Sequence, residues 1–417
     1  MDTFEKIIQL SEERPITPSS LFLVGQLLGK SRFIKKCNAM KVDGKRSQSQ
    51  IKNGDILLSY IGLLCQGKTA YEDIRKMLED PGYYERALGI TSTIPSAETL
   101  RQRMDDIGSS LRRNLLDVNV EMFHTYNMEP TPISEEFVPV DLDVTPLDNS
   151  KTYKEGVLYN YKGYFGYAPM MAYIGAEGFL VNTELREKSQ RCQYNTPAFL
   201  SETLNYSHQL TEKQLFVRMD SGNDAAENLG ILIEDGSRFI VKNNLRRGES
   251  KQEWLDKVKE CCKDICHPRD GKTIYVGSLW KAVNYTDVEG NSKTVTTRIV
   301  YKVIERTMDK NGQLLIMPDI ECNTFWTNLD WNDDDIIKGY HAHSECEQYH
   351  SEIKTDMDVE RLPSGKFETN ELVLELTILA YNILRMIGQS SLKSECAPRS
   401  KHPAKRCRIQ TVMNKMR

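Results

Sequence analysis

The chain has 417 residues, of which 39% are hydrophobic and 27% charged, and its formal net charge is −4. That length suits two to three domains with a buried core, and the absence of any run of about 18 apolar residues excludes a membrane span by hydropathy. The N-terminus MDTFEKIIQL lacks the basic, apolar and small-residue order of a secretory signal, and ten scattered cysteines fit reduced thiols in a cytoplasm better than a disulfide scaffold.

Residues 1–130 are expected to be mostly helical. Asp55–Cys65 (DILLSYIGLLC) is apolar enough for a buried helix, and Ala70–Leu78 carries apolar residues at helical spacing. Ser96 is placed to cap a helix over Ala97–Ile107, whose first two turns carry Thr99, Arg101 and Arg103. Such a helix suits contact with DNA or with solvent equally well. Met128–Glu136 (MEPTPISEE) has the prolines and acids of a linker.

Strand patterns follow at Phe137–Leu142, Leu215–Met219 and Arg238–Val241, with a helix over Ala225–Ile233 between the last two. Gly163–Ile174 is aromatic and punctuated by glycine, as in paired strands. Alternating strands and helices predict an α/β domain with a mixed sheet. Past Asn243, a helix over Trp254–Cys262 precedes strands at Thr273–Val276, Lys293–Glu305 and Leu314–Ile320, with turns at Glu289–Asn291 and Lys310–Gly312. Asn370–Ile387 is apolar on most sides and predicts a buried helix. From Gln389 to Arg417, eight Lys or Arg face one acid, Glu395, a local charge of +7. Such a tail is a handle for phosphates, or a solvated terminus.

Three acids stand out. In Val138–Asp143, apolar Val140 and Leu142 alternate with Asp141 and Asp143, so both carboxylates share one face at the strand's end, where α/β sheets form their sites. Asp220 ends the strand LFVRM and precedes Ser221-Gly222; taken alone it also fits a turn aspartate. Glu347 lies within YHAHSECEQYHSEIKTDM, where helical spacing puts Tyr340, His343, Glu347, His350 or Ser351, and Lys354 on one face. That stripe is a solvated face, or a carboxylate set beside a bound phosphate.

The spacing Tyr340-x2-His343-x3-Glu347-x6-Lys354 resembles the Y-x2-R-x3-E-x6-K signature of bacterial insertion-sequence DDE transposases. Glu360–Asn370 and Leu376–Arg385 are similar to the segment after the catalytic Glu in the branch related to piggyBac. Asp141–Thr145 resembles its first Asp motif and Arg218–Gly222 its second, and the resemblance runs in order through nearly the whole chain, from Pro95–Arg101 through Phe239–Arg246. Two positions depart from it. His343 stands where the family has Arg, which makes phosphate pairing there weaker and dependent on pH. Asn223 stands where an aromatic is common.

The resemblance implies an RNase H-like α/β core at 137–242 and 332–388, split by a β-rich insertion at 243–331, with a helical DNA-binding or dimerisation region at 1–130, a C-terminal helix and a basic tail at 389–417. It implies Asp143, Asp220 and Glu347 as catalytic metal ligands. Asp141 is the rival to Asp143, and the family register, which puts the ligand two before Thr145, favours Asp143. Phosphodiester cleavage builds charge on the attacking and leaving oxygens, which two Mg²⁺ ions roughly 3.5–4 Å apart stabilise, with Mn²⁺ expected to substitute. Asp143 would bridge the ions, Asp220 hold one and Glu347 the other. The expected function is cut-and-paste transposition on double-stranded DNA in the bacterial nucleoid, by at least a homodimer. The rivals are a nuclease without strand transfer and a non-catalytic DNA-binding descendant.

Tyr340, His343, Lys354, Lys242, Arg246 and Arg101 are the expected DNA contacts. Cys261, Cys262, Cys266 and His267 lack the second pair that a zinc finger needs. Trp326 and Trp331 are expected in the core, base stacking being the alternative.

Overall fold

The computed structural model describes residues 18–39, 50–108, 112–160, 162–187, 193–245, 249–287, 289–393 and 404–417. Among the described residues, six α-helices precede the first strand: α1 (Phe22–Gly29), α2 (Phe33–Ala39), α3 (Asn53–Leu64), α4 (Pro81–Leu88), α5 (Ala97–Ile107) and α6 (Arg112–Thr125). α3 is the predicted apolar helix and is buried from Gly54 to Leu64. Its one acid, Asp55, is compensated by the backbone N–H groups of Thr91 (2.9 Å) and Ser92 (3.0 Å) and by both hydroxyls. Ser96 caps α5 as predicted, accepting from the Thr99 N–H at 3.2 Å. Tyr71–Glu79, expected as an α-helix, is instead a 3₁₀ helix. Its buried Tyr71, Ile74 and Met77 recur every three residues, which suits that tighter pitch, and Pro81 follows directly.

Twelve strands follow: β1 (Phe137–Val144), β2 (Leu147–Asp148), β3 (Leu158–Tyr159), β4 (Phe165–Tyr167), β5 (Met170–Ile174), β6 (Phe179–Glu184), β7 (Gln214–Met219), β8 (Arg238–Lys242), β9 (Asp264–Arg269), β10 (Lys272–Thr286), β11 (Ser292–Met308) and β12 (Leu314–Thr327). Nine form one mixed sheet in the order β6–β5–β1–β7–β8–β12–β11–β10–β9. β1, β7 and β8 run parallel, β5 runs antiparallel to β1, and β6 runs antiparallel to β5. This is the mixed sheet of the α/β core expected above. Gly163–Ile174 does not form the expected strand pair: β4 belongs to a separate small sheet, β2–β4–β3, and β5 to the large one. Pro169, between them, cannot donate to a ladder, and the chain changes sheets there.

The long strands β10–β12 join the core sheet through β12, whose Phe325, Trp326 and Thr327 pair with Lys242, Val241 and Ile240 of β8. Both hairpin turns fall where expected. Gly290 and Gly312 take φ of 87° and 84°, the region open to glycine. At the far end β9 is exposed along its length, as are Leu314, Ile316 and Met317.

Helices cover the core. α7 (Thr196–Leu210), α8 (Ala226–Asp235) and α9 (Lys251–Cys261) connect strands, and α10 (Asp333–His341) begins a helical rod. The rod runs through a 3₁₀ turn (Ala342–Glu345), α11 (Cys346–Ser351) and a π turn (Glu352–Asp356). α12 (Phe367–Lys393) is the predicted buried helix, longer than its apolar run. Its Asn382 pairs with both backbone groups of Leu180 (2.8 and 2.7 Å), covering the β6 edge. α13 (Ile409–Met416), unforeseen within the basic tail, buries Ile409, Val412, Met413 and Met416. Among the described residues, no helix is long and apolar enough to cross a membrane.

Candidate active site

The parallel register of β1 and β7 builds the site. Asp141 pairs with Arg218 and Leu142 with Met219, so Asp143 and Asp220 are the next residues on neighbouring strands. Side chains of parallel partners point to the same face, and so do residues two apart. Asp141, Arg218, Asp143 and Asp220 therefore rise together toward the helical rod.

The rod answers each of them. Tyr340 Oη donates to Asp220 Oδ1 at 2.9 Å. His343 Nδ1 lies 2.9 Å from Asp141 Oδ1, and His350 Nε2 lies 3.2 Å from Asp143 Oδ2. Glu347 sits between His343 and His350 on the rod and is exposed, as is Asp220.

Asp141 and Asp143 differ in what surrounds them. Asp141 is 3% exposed. Its two oxygens take Nε and Nη2 of Arg218, each at 2.6 Å, while Arg218 Nη1 donates to Gly339 O at 3.1 Å. Burial pushes the Asp141 carboxyl up, but Arg218 and His343 outweigh it and hold it below the usual range. His343 is driven down by burial, and the opposing hydrogen bond and charge of Asp141 leave it raised. Asp143 has 28% of its side chain exposed. Burial raises its carboxyl, but the bond and charge of His350, the charge of His343 and the Val144 N–H (2.8 Å) bring it below the usual range. The two acids of β1 thus differ in setting: Asp141 is neutralised in the interior, and Asp143 stands at the mouth.

Among the described residues, the one set of three His, Cys, Asp or Glu ligand atoms within 4.8 Å of one another is Asp141, His343 and Cys346. It does not suit a metal ion, because Arg218 occupies both Asp141 oxygens, and burial, then the nearby carboxylates, push the Cys346 thiol well up. Asp143, Asp220 and Glu347 stand further apart as a set. Two hard cations roughly 3.5–4 Å apart, with ligand bonds of about 2 Å, call for carboxylates spread more widely than the ligands of a single ion. Carboxylates are the hard oxygen donors that Mg²⁺ or Mn²⁺ takes, and His350 and Tyr340 hold Asp143 and Asp220 in orientation.

The family model described as Transposase DDE domain group 1 matches residues 19–410. The chain belongs to that family. Among solved structures, the cryo-EM structure of a piggyBac transposase synaptic complex with hairpin DNA matches over 95% of this chain and 79% of that chain, at 11% identity and a TM-score of 0.46. No curated protein matches it in sequence.

The remaining expected contacts of this DDE transposase family member fall in different settings. Lys242 Nζ lies over the Tyr340 ring, 5.8 Å from its centroid. Lys354 Nζ donates to Pro146 O at 2.8 Å and stands 3.7 Å from Glu360, tying the rod to the loop that leaves Asp143. His343 is 7% exposed and faces Asp141. Arg101, on α5, is paired with Glu98 at 2.6 Å and lies 3.7 Å from Asp105. Arg246 lies outside the described residues. Trp326 is buried and donates to Asp224 at 3.1 Å, and Trp331 packs against Phe137 and Phe216, so both serve the core. Asn223 is buried in the turn after Asp220, and its carbonyl accepts from Asn228 at 2.8 Å. Cys261 and Cys266 are exposed and do not gather with His267.

Sequence reasoning put His350 on the face that bears Glu347, as DNA-facing or structural, but did not pair it with Asp143. It also did not pair Arg218 with Asp141. The one local hint was that each stands two residues before a candidate ligand.

Proposed function

We propose that the protein is the DNA transposase of a bacterial insertion sequence, cutting the ends of its element and joining them to target DNA. The observation that carries this reading is the placement of Asp143 and Asp220 side by side at parallel strand ends, under the rod that bears Glu347, in a chain of the DDE family. Asp143, Asp220 and Glu347 would hold two Mg²⁺ ions, with Mn²⁺ able to replace them. When bound, the ions supply stabilisation of the charge that develops on the attacking and leaving oxygens.

The chain's own residues do the rest. His350 keeps Asp143 turned toward the mouth, and Tyr340 fixes Asp220 by one oxygen while leaving the other for ligation. Arg218 and Asp141 cancel each other behind them, so no second uncompensated charge disturbs the pair. Lys242, beside Tyr340, and the Lys354 that braces the Asp143 loop are placed for backbone contact with the transposon end, and Arg101 for contact by the helical region. His343, buried on Asp141, acts as a positioning residue. Pairing two element ends calls for at least a homodimer on double-stranded DNA, working in the cytoplasm at the nucleoid.

The test uses duplexes from the DNA flanking the gene, chosen for inverted repeats, with purified protein and Mg²⁺ or Mn²⁺. End-specific nicking followed by joining of a pre-cleaved 3′-OH end to a plasmid is expected. Cleavage without joining would leave a nuclease, and neither reaction, with DNA binding intact, would leave a DNA-binding descendant.

A further inference from the structure

Beside Glu347 lies a cavity of 790 Å³ that the signature does not account for. Ser344, Glu347 and Ser351 of the rod form one side, and Lys405, Arg406 and Arg408 of the returning C-terminal segment form the other. Its size lies within the roughly 300–1,000 Å³ of ordinary ligand sites.

The segment is held there by its own chemistry. α13 buries four apolar side chains. Arg408 grips the buried Asp356 through two bonds of 2.8 and 2.9 Å, and the Gln410 N–H adds a third at 3.2 Å. Arg385, buried in α12, donates to both Glu352 and the Cys407 carbonyl. These bonds anchor the segment to the rod and to α12 immediately past Lys405 and Arg406.

The two remaining cations face the cavity, Lys405 from the surface and Arg406 from a more buried position. Lys405 has 63% of its side chain exposed and reaches Glu345, itself on the surface, at 3.1 Å. Arg406 lies 4.6 Å over the Tyr349 ring, donates to the neutral Gln348 at 2.6 Å and stands 3.7 Å from Glu352, which Arg385 already binds. An exposed Lys–Glu pair is weak, so its lysine exchanges a carboxylate for a phosphate with little loss. A guanidinium has five N–H donors, so Arg406, stacked on a ring, has donors beyond those that meet Gln348 and Glu352 to offer a phosphate oxygen.

Resting on the reading of Glu347 as part of the DNA-cutting group, we propose that Lys405 and Arg406 hold a backbone phosphate of the bound DNA strand in this cavity, next to the phosphate being cut. The C-terminal segment then forms a wall of the DNA site. The occupant is a phosphodiester backbone because the cavity runs directly onto Glu347, and a cation held there would add to the positive charge of the facing wall.

The experiment measures binding of the full-length protein to the flanking duplex that the wild type cleaves, in Ca²⁺, as a function of KCl. One phosphate contact contributes about 0.9 to the slope of log affinity against log salt. Lys405→Ala is expected to lower the slope magnitude by about one, making the loss of affinity between 50 and 200 mM salt roughly threefold smaller. Arg406→Gln should do the same, whereas Lys405→Arg and Lys310→Ala, at the distant hairpin, should keep the wild-type slope. Unchanged slopes for Lys405→Ala and Arg406→Gln, with wild-type cleavage intact, would overturn the proposal and leave the cleavage reading standing. If Arg406→Gln fails to fold for want of its Tyr349 contact, the exposed Lys405 decides alone. A wild type that cleaves no flanking duplex removes the reading beneath the proposal, and the proposal with it.

Discussion

The interior beneath the helical rod and the mouth at its edge both gather carboxylates against basic side chains, yet they are finished in opposite ways. In the interior, Asp141 meets a two-pronged Arg218 and His343, all nearly excluded from solvent. At the mouth, Asp143 has one histidine, Asp220 one tyrosine hydroxyl, and Glu347 is exposed. A buried charge persists only when it is matched, whereas a metal ligand needs lone pairs left over. The two regions lie two residues apart on β1, so side-chain pairing, not position along the strand, sets the two acids apart.

The sharpest way to break the comparison is to exchange the roles. Asp143→Asn should cut end cleavage by about a thousandfold or more, roughly 4 kcal/mol of barrier, while changing stability by less than about 1 kcal/mol. Cleavage of an end duplex and a denaturant melt read the two quantities. Arg218→Met should do the reverse at the level of folding. It strands Asp141, and losing one partner of a buried pair costs about 3–5 kcal/mol. A denaturant midpoint unmoved by Arg218→Met would mean that Asp141 is not held by compensation at all.

Glu375 of α12 sharpens the rule, because it is buried without a full match. Burial pushes its carboxyl up to about 8 from a usual 4.5, and Arg112 offsets only part of this from 3.6 Å. Arg112 already binds Glu202 at 2.8 Å and the Thr183 carbonyl. The folded state therefore keeps a proton that the unfolded chain releases, and stability falls as pH rises from about 4.5 toward 8. Glu375→Gln removes that penalty. Its stability relative to the wild type should rise by about 2–4 kcal/mol between pH 5 and pH 8, as urea titrations at several pH values would read. An equal gain at both pH values would show that Glu375 stays ionised.

Local patterns carried much of this, and long-range pairing carried the rest. The alternation in Val138–Asp143 puts Asp141 and Asp143 on one face but is silent on which is neutralised, because Arg218 is 77 residues away and matters only through strand register. Likewise His350 meets Asp143 across 207 residues. α7 escaped because Thr, Ser and Asn dilute the apolar stripe of TPAFLSETLNYSHQL, although Phe199, Leu200, Leu204 and Leu210 keep helical spacing. α13 has eight residues, too few for a stable helix alone, and its helicity depends on packing against α12. Conversely, α3, α12 and the Ser96 cap were legible because apolar runs and caps act within a few turns.

The smallest effect probes the boundary between the two regions. Tyr340 donates to Asp220, and its ring rests against Phe325 at 4.8 Å, His343 at 5.9 Å and Lys242 at 5.8 Å. Burial, then the neighbouring Asp220 charge, raises its hydroxyl pKa, so it remains a donor wherever the enzyme would work. Tyr340→Phe keeps the ring contacts and deletes the one bond. If orientation of a partly free carboxylate is what the mouth requires, cleavage should fall about tenfold and the Mn²⁺ concentration for half-activity should rise by about as much. Stability should move by about 1 kcal/mol at most, since Asp220 is exposed and water replaces the hydroxyl. Cleavage and Mn²⁺ dependence equal to the wild type would show that Asp220 needs no such partner, and that the mouth differs from the interior by exposure alone.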